Sequence, residues 1–118
     1  MFLHLAHTKT PVFRESEKFT LECYRITKDF PQEERFSIVQ QIRRAALSVH
    51  LNIAEGCSRG SEAERKRFFE ISRGSIIEVD AAIDIAHKLK YKTDQELEPL
   101  GNYLVNTFKQ LTGLIGSH

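Results

Sequence analysis

The sequence has no apolar run longer than a few residues, which excludes a membrane-spanning helix. Its opening, Met1-Phe2-Leu3-His4, lacks the basic flank and continuous apolar region of a secretory signal, so a cytoplasmic location is expected. Cysteine is scarce: Cys23 and Cys57 are too few and too far apart for a disulfide framework or a four-ligand zinc site. Charge of one sign is lacking too, because 17 basic against 16 acidic side chains leave a net +1, and the overall field draws in no polyanion. There is no internal repeat or low-complexity stretch, and the three prolines, Pro11, Pro31 and Pro99, fall near the ends of periodic apolar segments. What remains is 118 residues, 41% hydrophobic and 28% charged, enough for one domain with a core of its own and too few for two.

The apolar residues recur at helical spacing in four places. Residues 1–12 carry Leu3, Leu5, His4 and His7 with no stripe and read as a flexible arm ahead of a domain over residues 13–116. Over residues 13–30, Phe19, Cys23, Ile26 and Phe30 step by four, three and four, one face of a helix that Pro31 stops. Ser37 and Gln40 fit a capping box opening a second helix, whose stripe is Ile38, Ile42, Ala45, Val49, Ile53 and Gly56 and whose end is expected at a left-handed Gly60. Ser61 and Glu64 form another box at once, so helices two and three are predicted to pack as a tight hairpin.

Helix three, expected over residues 62–91, has one stripe through Phe68, Ser72, Ile76, Val79, Ile83 and Ala86 and a second through Ile71, Ile85 and Leu89. That arc is wider than one bundle interior needs and predicts contact with another subunit. Thr93 and Glu96 cap helix four, with Leu97, Leu100, Leu104, Leu111 and Leu114 inward and Pro99 expected to kink it or delay its start. Gly116-Ser117-His118 is expected to fray. Four such helices with short connections and no strand pattern predict an all-α, antiparallel up-down-up-down four-helix bundle.

Some polar residues do not suit a plain bundle. Ser48, Asn52, Glu55 and Arg59 share a face of helix two, and helix three answers with Arg73, Ser75 and Glu78. This predicts a polar seam of Ser48, Asn52, Glu55, Gly56, Ser75 and Glu78, in which Glu55 or Glu78 meets Arg44, Arg73 or a helix-end donor. Such a seam can fix register, line a subunit interface or form a ligand site. Gly56 and Gly74, each costing a helix about 1 kcal/mol relative to alanine, predict close approach by a neighbouring helix or by a nucleic-acid backbone.

Basic residues exceed acidic ones seven to four over residues 41–73. The seven are Arg43, Arg44, Arg59, Arg65, Lys66, Arg67 and Arg73, four of them at the hairpin. Guanidinium forks suit phosphate, whereas a solvated face paired with Glu62, Glu64 and Glu70 is the plainer alternative. No nucleophile with its base and no metal triad is spaced in the sequence, and Glu55 with Glu78 is the one candidate carboxylate pair, so no catalysis, cofactor or metal is expected.

The run 41–49, Gln-Ile-Arg-Arg-Ala-Ala-Leu-Ser-Val, is followed by Asn52-Ile53-Ala54-Glu55-Gly56, Arg59-x-Ser61, Phe68-Phe69 and Gly74-Ser75-x-x-Glu78. With Phe30-Pro31-x-x-Glu34 ahead of it, this resembles the four-helix-bundle proteins first noticed in intervening sequences of bacterial 23S ribosomal RNA genes. The resemblance implies a barrel-shaped homopentamer, and its relatives include the accessory variability protein of diversity-generating retroelements, which binds nucleic acid and a reverse transcriptase. His50 stands where the family often has proline, and Cys57-Ser58 replaces an aromatic-glycine pair. The combined expectation is a ring-forming, non-enzymatic bundle that binds RNA or DNA through the seven basic residues. The competing expectation is a protein-interaction scaffold with those residues solvated.

Overall fold

Four helices and two short 3-10 turns account for nearly all of the chain in the computed structural model, which describes residues 1–116. They are α1 (Pro11–Thr27), α2 (Ile38–Ser58), α3 (Glu62–Lys88) and α4 (Asp94–Gly116), with turns at Ala6–Lys9 and Gln32–Glu34. No strand occurs among the described residues, and the expected fraying at Ser117 and His118 lies outside them.

The helix ends follow local chemistry, not always the chemistry expected. The Thr10 hydroxyl caps α1 by accepting from the Phe13 amide at 3.3 Å, and Pro11 occupies the first turn, where its missing donor costs nothing. The helix therefore starts two residues early. It stops three residues short of Phe30, which is buried instead on the Tyr91 ring, centroids 5.4 Å apart.

Ser37 does not cap α2. Its hydroxyl donates to Glu34 Oε1 at 3.0 Å across the preceding turn, and the helix begins without a side-chain cap. Nor is Gly60 left-handed: no glycine has positive φ, and α2 ends through an extended Arg59. The Arg65 guanidinium reaches back from α3 to the carbonyls of Arg59 and Gly60, at 2.9 and 3.2 Å, and satisfies them in the way a glycine cap otherwise would.

At the far end of α3 the left-handed residue is Lys90, φ 66°, with the Tyr91 amide donating to Ala86 O and the Lys90 amide to His87 O. That turn ends the helix three residues before Tyr91. Thr93 and Glu96 form the expected reciprocal box at 3.1 and 2.9 Å, and α4 starts at Asp94 without delay and carries Pro99 inside it.

Each helix packs on two others, α1 on α2 and α4, α3 on α2 and α4, which encloses one core. The predicted stripes face it: Phe19, Cys23 and Ile26 of α1, Ile42, Val49 and Ile53 of α2, Ile76 and Val79 of α3, and Leu100 and Leu111 of α4 are all buried. Side-chain to backbone bonds fix the α1/α2 and α2/α3 seams. Thr20 Oγ1 donates to Ala46 O across α1/α2, and Ser72 Oγ donates to Val49 O across α2/α3. Paired positions step in opposite senses: 16 with 50 and 27 with 43, then 48 with 75 and 41 with 78. The second stripe of α3 stays outside, with Ile71, Ile85 and Leu89 exposed.

The segment expected as a free arm is docked from His7 onward. His7 is buried, edge-on to Phe13 at 4.9 Å, and Phe13 in turn lies 4.2 Å from the His50 ring. Ser16 Oγ lies 2.9 Å from Phe13 O and 2.7 Å from His50 Nδ1, so the hydroxyl links the α1 backbone to the imidazole of α2. His50 thus helps tie the arm, α1 and α2 together. Burial holds its imidazole below the ordinary 6.5, opposed by Glu17 and reinforced by His7.

Gly56 and Gly74 separate here. A methyl at Gly56 would stand 2.8 Å from Phe69 Cε1 and 3.2 Å from Phe68 Cβ, whereas one at Gly74 meets nothing within 4 Å. The close approach expected at Gly74 is absent within the subunit. Gly56→Ala is expected to destabilise the fold by about 1–3 kcal/mol through overpacking, and Gly74→Ala to stabilise it by about 1 kcal/mol, both read by denaturant unfolding. A second expectation concerns pH. Because the folded chain holds His50 below its unfolded value, stability is full above about 6.5 and declines as pH falls toward the folded value. His50→Gln should flatten that acid limb, measured as the midpoint of urea unfolding between pH 7 and 5.

Candidate nucleic-acid interface

The predicted polar seam exists, with different pairings. Ser48 Oγ and Ser75 Oγ are 3.0 Å apart across α2/α3, and Asn52 Nδ2 donates back to Ser48 O and Oγ at 2.8 and 3.1 Å. Gln41 Nε2 donates to Glu78 Oε2 at 3.4 Å. Neither carboxylate meets Arg44 or Arg73. Glu55 pairs with Arg59 one turn along its own helix at 2.8 Å, and Arg73 turns to α4, donating to Thr112 Oγ1 at 3.2 Å beside the Phe108 ring. Ser48, Asn52 and Ser75 answer one another, as in a register-fixing seam, and Gly56 belongs to the core contact beneath it.

The seven basic residues fall into three groups. Arg59, Arg65, Lys66 and Arg67 gather at the α2–α3 hairpin, where Arg59 and Arg67 lie 4.9 and 5.3 Å from the Phe68 ring centroid. Their charge is largely answered on the spot: Arg59 by Glu55, Lys66 by Glu62 at 3.3 Å, and Arg65 by the two helix-end carbonyls. Arg73 stands apart on the α3/α4 side. Arg43 and Arg44 lie toward the opposite end of α2, and there the structure gathers cations that are distant in sequence.

That end is shaped by the α1–α2 connection. Two adjoining hollows of about 270 Å³ each share Arg35, Val39 and Arg43 as a common wall. Lys28 lines one and Arg44 the other, so four cations face this groove, and its lining contains no carboxylate. Of the two acids on this connection, Glu34 is held by the Tyr91 hydroxyl at 2.6 Å and by Ser37, and Glu33 is exposed. The bond that Tyr91 donates to Glu34 pushes its phenol up to about 12.

Aromatic rings accompany the cations. Arg43 lies 5.0 Å from the Tyr24 centroid and donates to Thr27 Oγ1 and Tyr24 O at 2.9 and 3.2 Å. Those bonds use two of the five guanidinium protons and hold the fork in place. Arg35 lies 5.6 Å from the ring of Phe36, which is 80% exposed. Arg44 is exposed and, among the described residues, makes no hydrogen bond or ion pair through its side chain. Fixed and unpaired guanidinium groups beside an exposed ring can take a phosphate and stack a planar base.

Sequence reasoning found Arg43 and Arg44 and missed Lys28, Arg35, Tyr24 and Phe36. Those four lie on α1 and its connection to α2, where basic and acidic residues alternate evenly, and only the folded path puts the acids elsewhere. No three His, Cys, Asp or Glu side chains are grouped to hold a metal ion among the described residues. No helix in this range is long and apolar enough to cross a membrane.

A family model described as "23S rRNA-intervening sequence protein" matches residues 8–113. In fold the chain is similar to the crystal structure of a protein of unknown function from the S23 ribosomal protein family of Bacteroides thetaiotaomicron VPI-5482. The TM-score is 0.80 at 21% identity, over 90% of this chain and 99% of that one. No curated protein matches the chain.

Proposed function

The chain belongs to the 23S rRNA-intervening sequence protein family, and from that premise we propose that it is a non-enzymatic, cytoplasmic accessory protein that binds nucleic acid as a homo-oligomer. Its subunit is an antiparallel up-down-up-down bundle, and the assembly is a pentameric ring, as the sequence resemblance implies. The observation that carries the binding reading is the groove of Lys28, Arg35, Arg43 and Arg44 with no carboxylate in its lining. Planar guanidinium groups bind phosphate bidentately, and a ring of subunits repeats the groove, so contacts too weak singly add through multivalency. The hairpin arginines serve the bundle first.

A second reading is favoured by a different observation. Ile71 and Ile85 of α3 and Leu89 at its end share one face and are exposed, and an apolar face of this kind suits a protein partner, with the cations merely solvated. The wide arc of α3 serves assembly in the first reading and partner capture in the second.

Salt separates the two. Fluorescence anisotropy with a structured RNA of mixed sequence is expected to show binding that weakens steeply as salt rises. The double variant Arg35→Glu/Arg44→Glu should lower the slope of log affinity against log salt by about 2, one for each lost phosphate contact. Arg65→Glu/Arg67→Glu should leave that slope nearly unchanged. A protein that ignores RNA even at low salt would move the assignment to the scaffold.

A further inference from the structure

The two cationic hollows at the α1–α2 connection differ in what accompanies the charge. They share the wall of Arg35, Val39 and Arg43, but polar Thr27 and Gln32 line the first, whereas Tyr24, Phe36 and Leu47 line the second. Phe36 is 80% exposed, and Arg35, 5.6 Å from its ring centroid, stands over one face, which leaves the other to solvent. Gln40 also lines the second hollow. Its amide, like the guanidinium groups of Arg35 and Arg44, makes no hydrogen bond or ion pair among the described residues.

Ring, amide and guanidinium groups together specify an occupant. A phosphate alone would use the cations and leave the ring and the amide idle. A duplex does no better, because each of its bases is covered on both faces by its neighbours and shows only an edge, and its affinity comes from phosphates met along an extended basic surface. The basic surface here is short. Away from the groove, Arg59 and Lys66 are paired with Glu55 and Glu62 on their own helices, and Arg65 is taken by the hairpin carbonyls. An unpaired nucleotide supplies all three complements: a free π face for Phe36, an edge of donors and acceptors for Gln40, and a phosphate for the guanidinium forks.

We infer that the groove selects single-stranded over double-stranded nucleic acid, seating one unpaired base on the Phe36 ring with Gln40 at its edge. The adjoining phosphates lie on the wall of Arg35 and Arg43, with Arg44 to one side of it and Lys28 to the other. Arg43 is already fixed by Thr27 Oγ1 and Tyr24 O, so it gives up little freedom on binding. Since every base has a π face, the seat distinguishes paired from unpaired and not one base from another. The inference rests on the nucleic-acid part of the proposed function and adds which form is bound; it does not depend on the ring of subunits.

The probes are an RNA strand designed without self-complementarity and the same strand annealed to its complement. By fluorescence anisotropy at low salt, the native protein is expected to bind the strand at least tenfold more tightly than the duplex. Phe36→Ala is expected to lower affinity for the strand by about tenfold, the scale of one stacked base. It should leave the duplex affinity and the salt slope unchanged, because the ring carries no charge, and circular dichroism should show the fold intact. The chain has no tryptophan, so Phe36→Trp places a lone indole at the seat, and its fluorescence is expected to be quenched by the strand and not by the duplex. Equal or tighter binding of the duplex overturns the inference, as does a Phe36→Ala effect that is absent or the same for both probes; the nucleic-acid reading then stands on phosphate contacts alone. A protein that binds neither probe overturns both together.

Discussion

The approach of α2 to α3 at Gly56 governs the rest of the molecule. With no side chain there, the Phe69 ring lies against the α2 backbone and is buried. Close backbones bring Ser72 within 2.8 Å of the Val49 carbonyl and Ser48 within 3.0 Å of Ser75, a seam that longer side chains would force apart. Arg65 closes the same hairpin by satisfying the last carbonyls of α2. A core contact, a hydrogen-bonded seam and a charged clasp therefore depend on one missing methyl. Ser48, Asn52 and Ser75 bond to one another within the subunit, which fixes the register of α2 on α3.

The bundle was legible because burial imposes a period that a single sequence displays. Phe19, Cys23 and Ile26, or Ile42, Val49 and Ile53, recur at helical spacing only if one face meets a core, and these residues are buried. Helix ends were less legible because several donors compete for each free carbonyl or amide. Ser37 carries a good capping hydroxyl, yet Glu34 takes it; Gly60 suits a left-handed turn, yet Arg65 makes that turn unnecessary. The Ser16–His50 bond joins residues 34 apart with no motif to announce it. Gly74 illustrates a subtler limit, since sequence shows that a helix tolerates a glycine but not whether anything comes near it.

Charge was the least legible property. Basic residues along the chain suggested a surface of seven, four of them at the hairpin, but a run on a helix places acids three and four residues away on the same face. Arg59 finds Glu55 and Lys66 finds Glu62 in that way. The groove at the α1–α2 connection arises differently. Lys28, Arg35 and Arg44 come from separate elements, and two of the three intervening acids are drawn off, Glu34 by Tyr91 and Asp29 by Lys92 at 2.7 Å, while Glu33 is exposed. Lys92 is buried, and its hydrogen bond holds the Asp29 carboxyl below its ordinary range, so that acid is committed to the fold.

The groove and the hairpin also divide the molecule. The cationic groove sits where α1 joins α2, and the hairpin sits where α2 joins α3, at opposite ends of a 21-residue helix about 30 Å long. The hairpin carries the Gly56 contact and the Arg65 clasp, so holding α2 on α3 and binding a polyanion do not compete for the same residues. The His7–Phe13–His50 cluster stands on the α1/α2 side and fixes where the leading segment departs. The bonds from Arg43 to Thr27 and Tyr24 hold the groove in shape without drawing on that cluster.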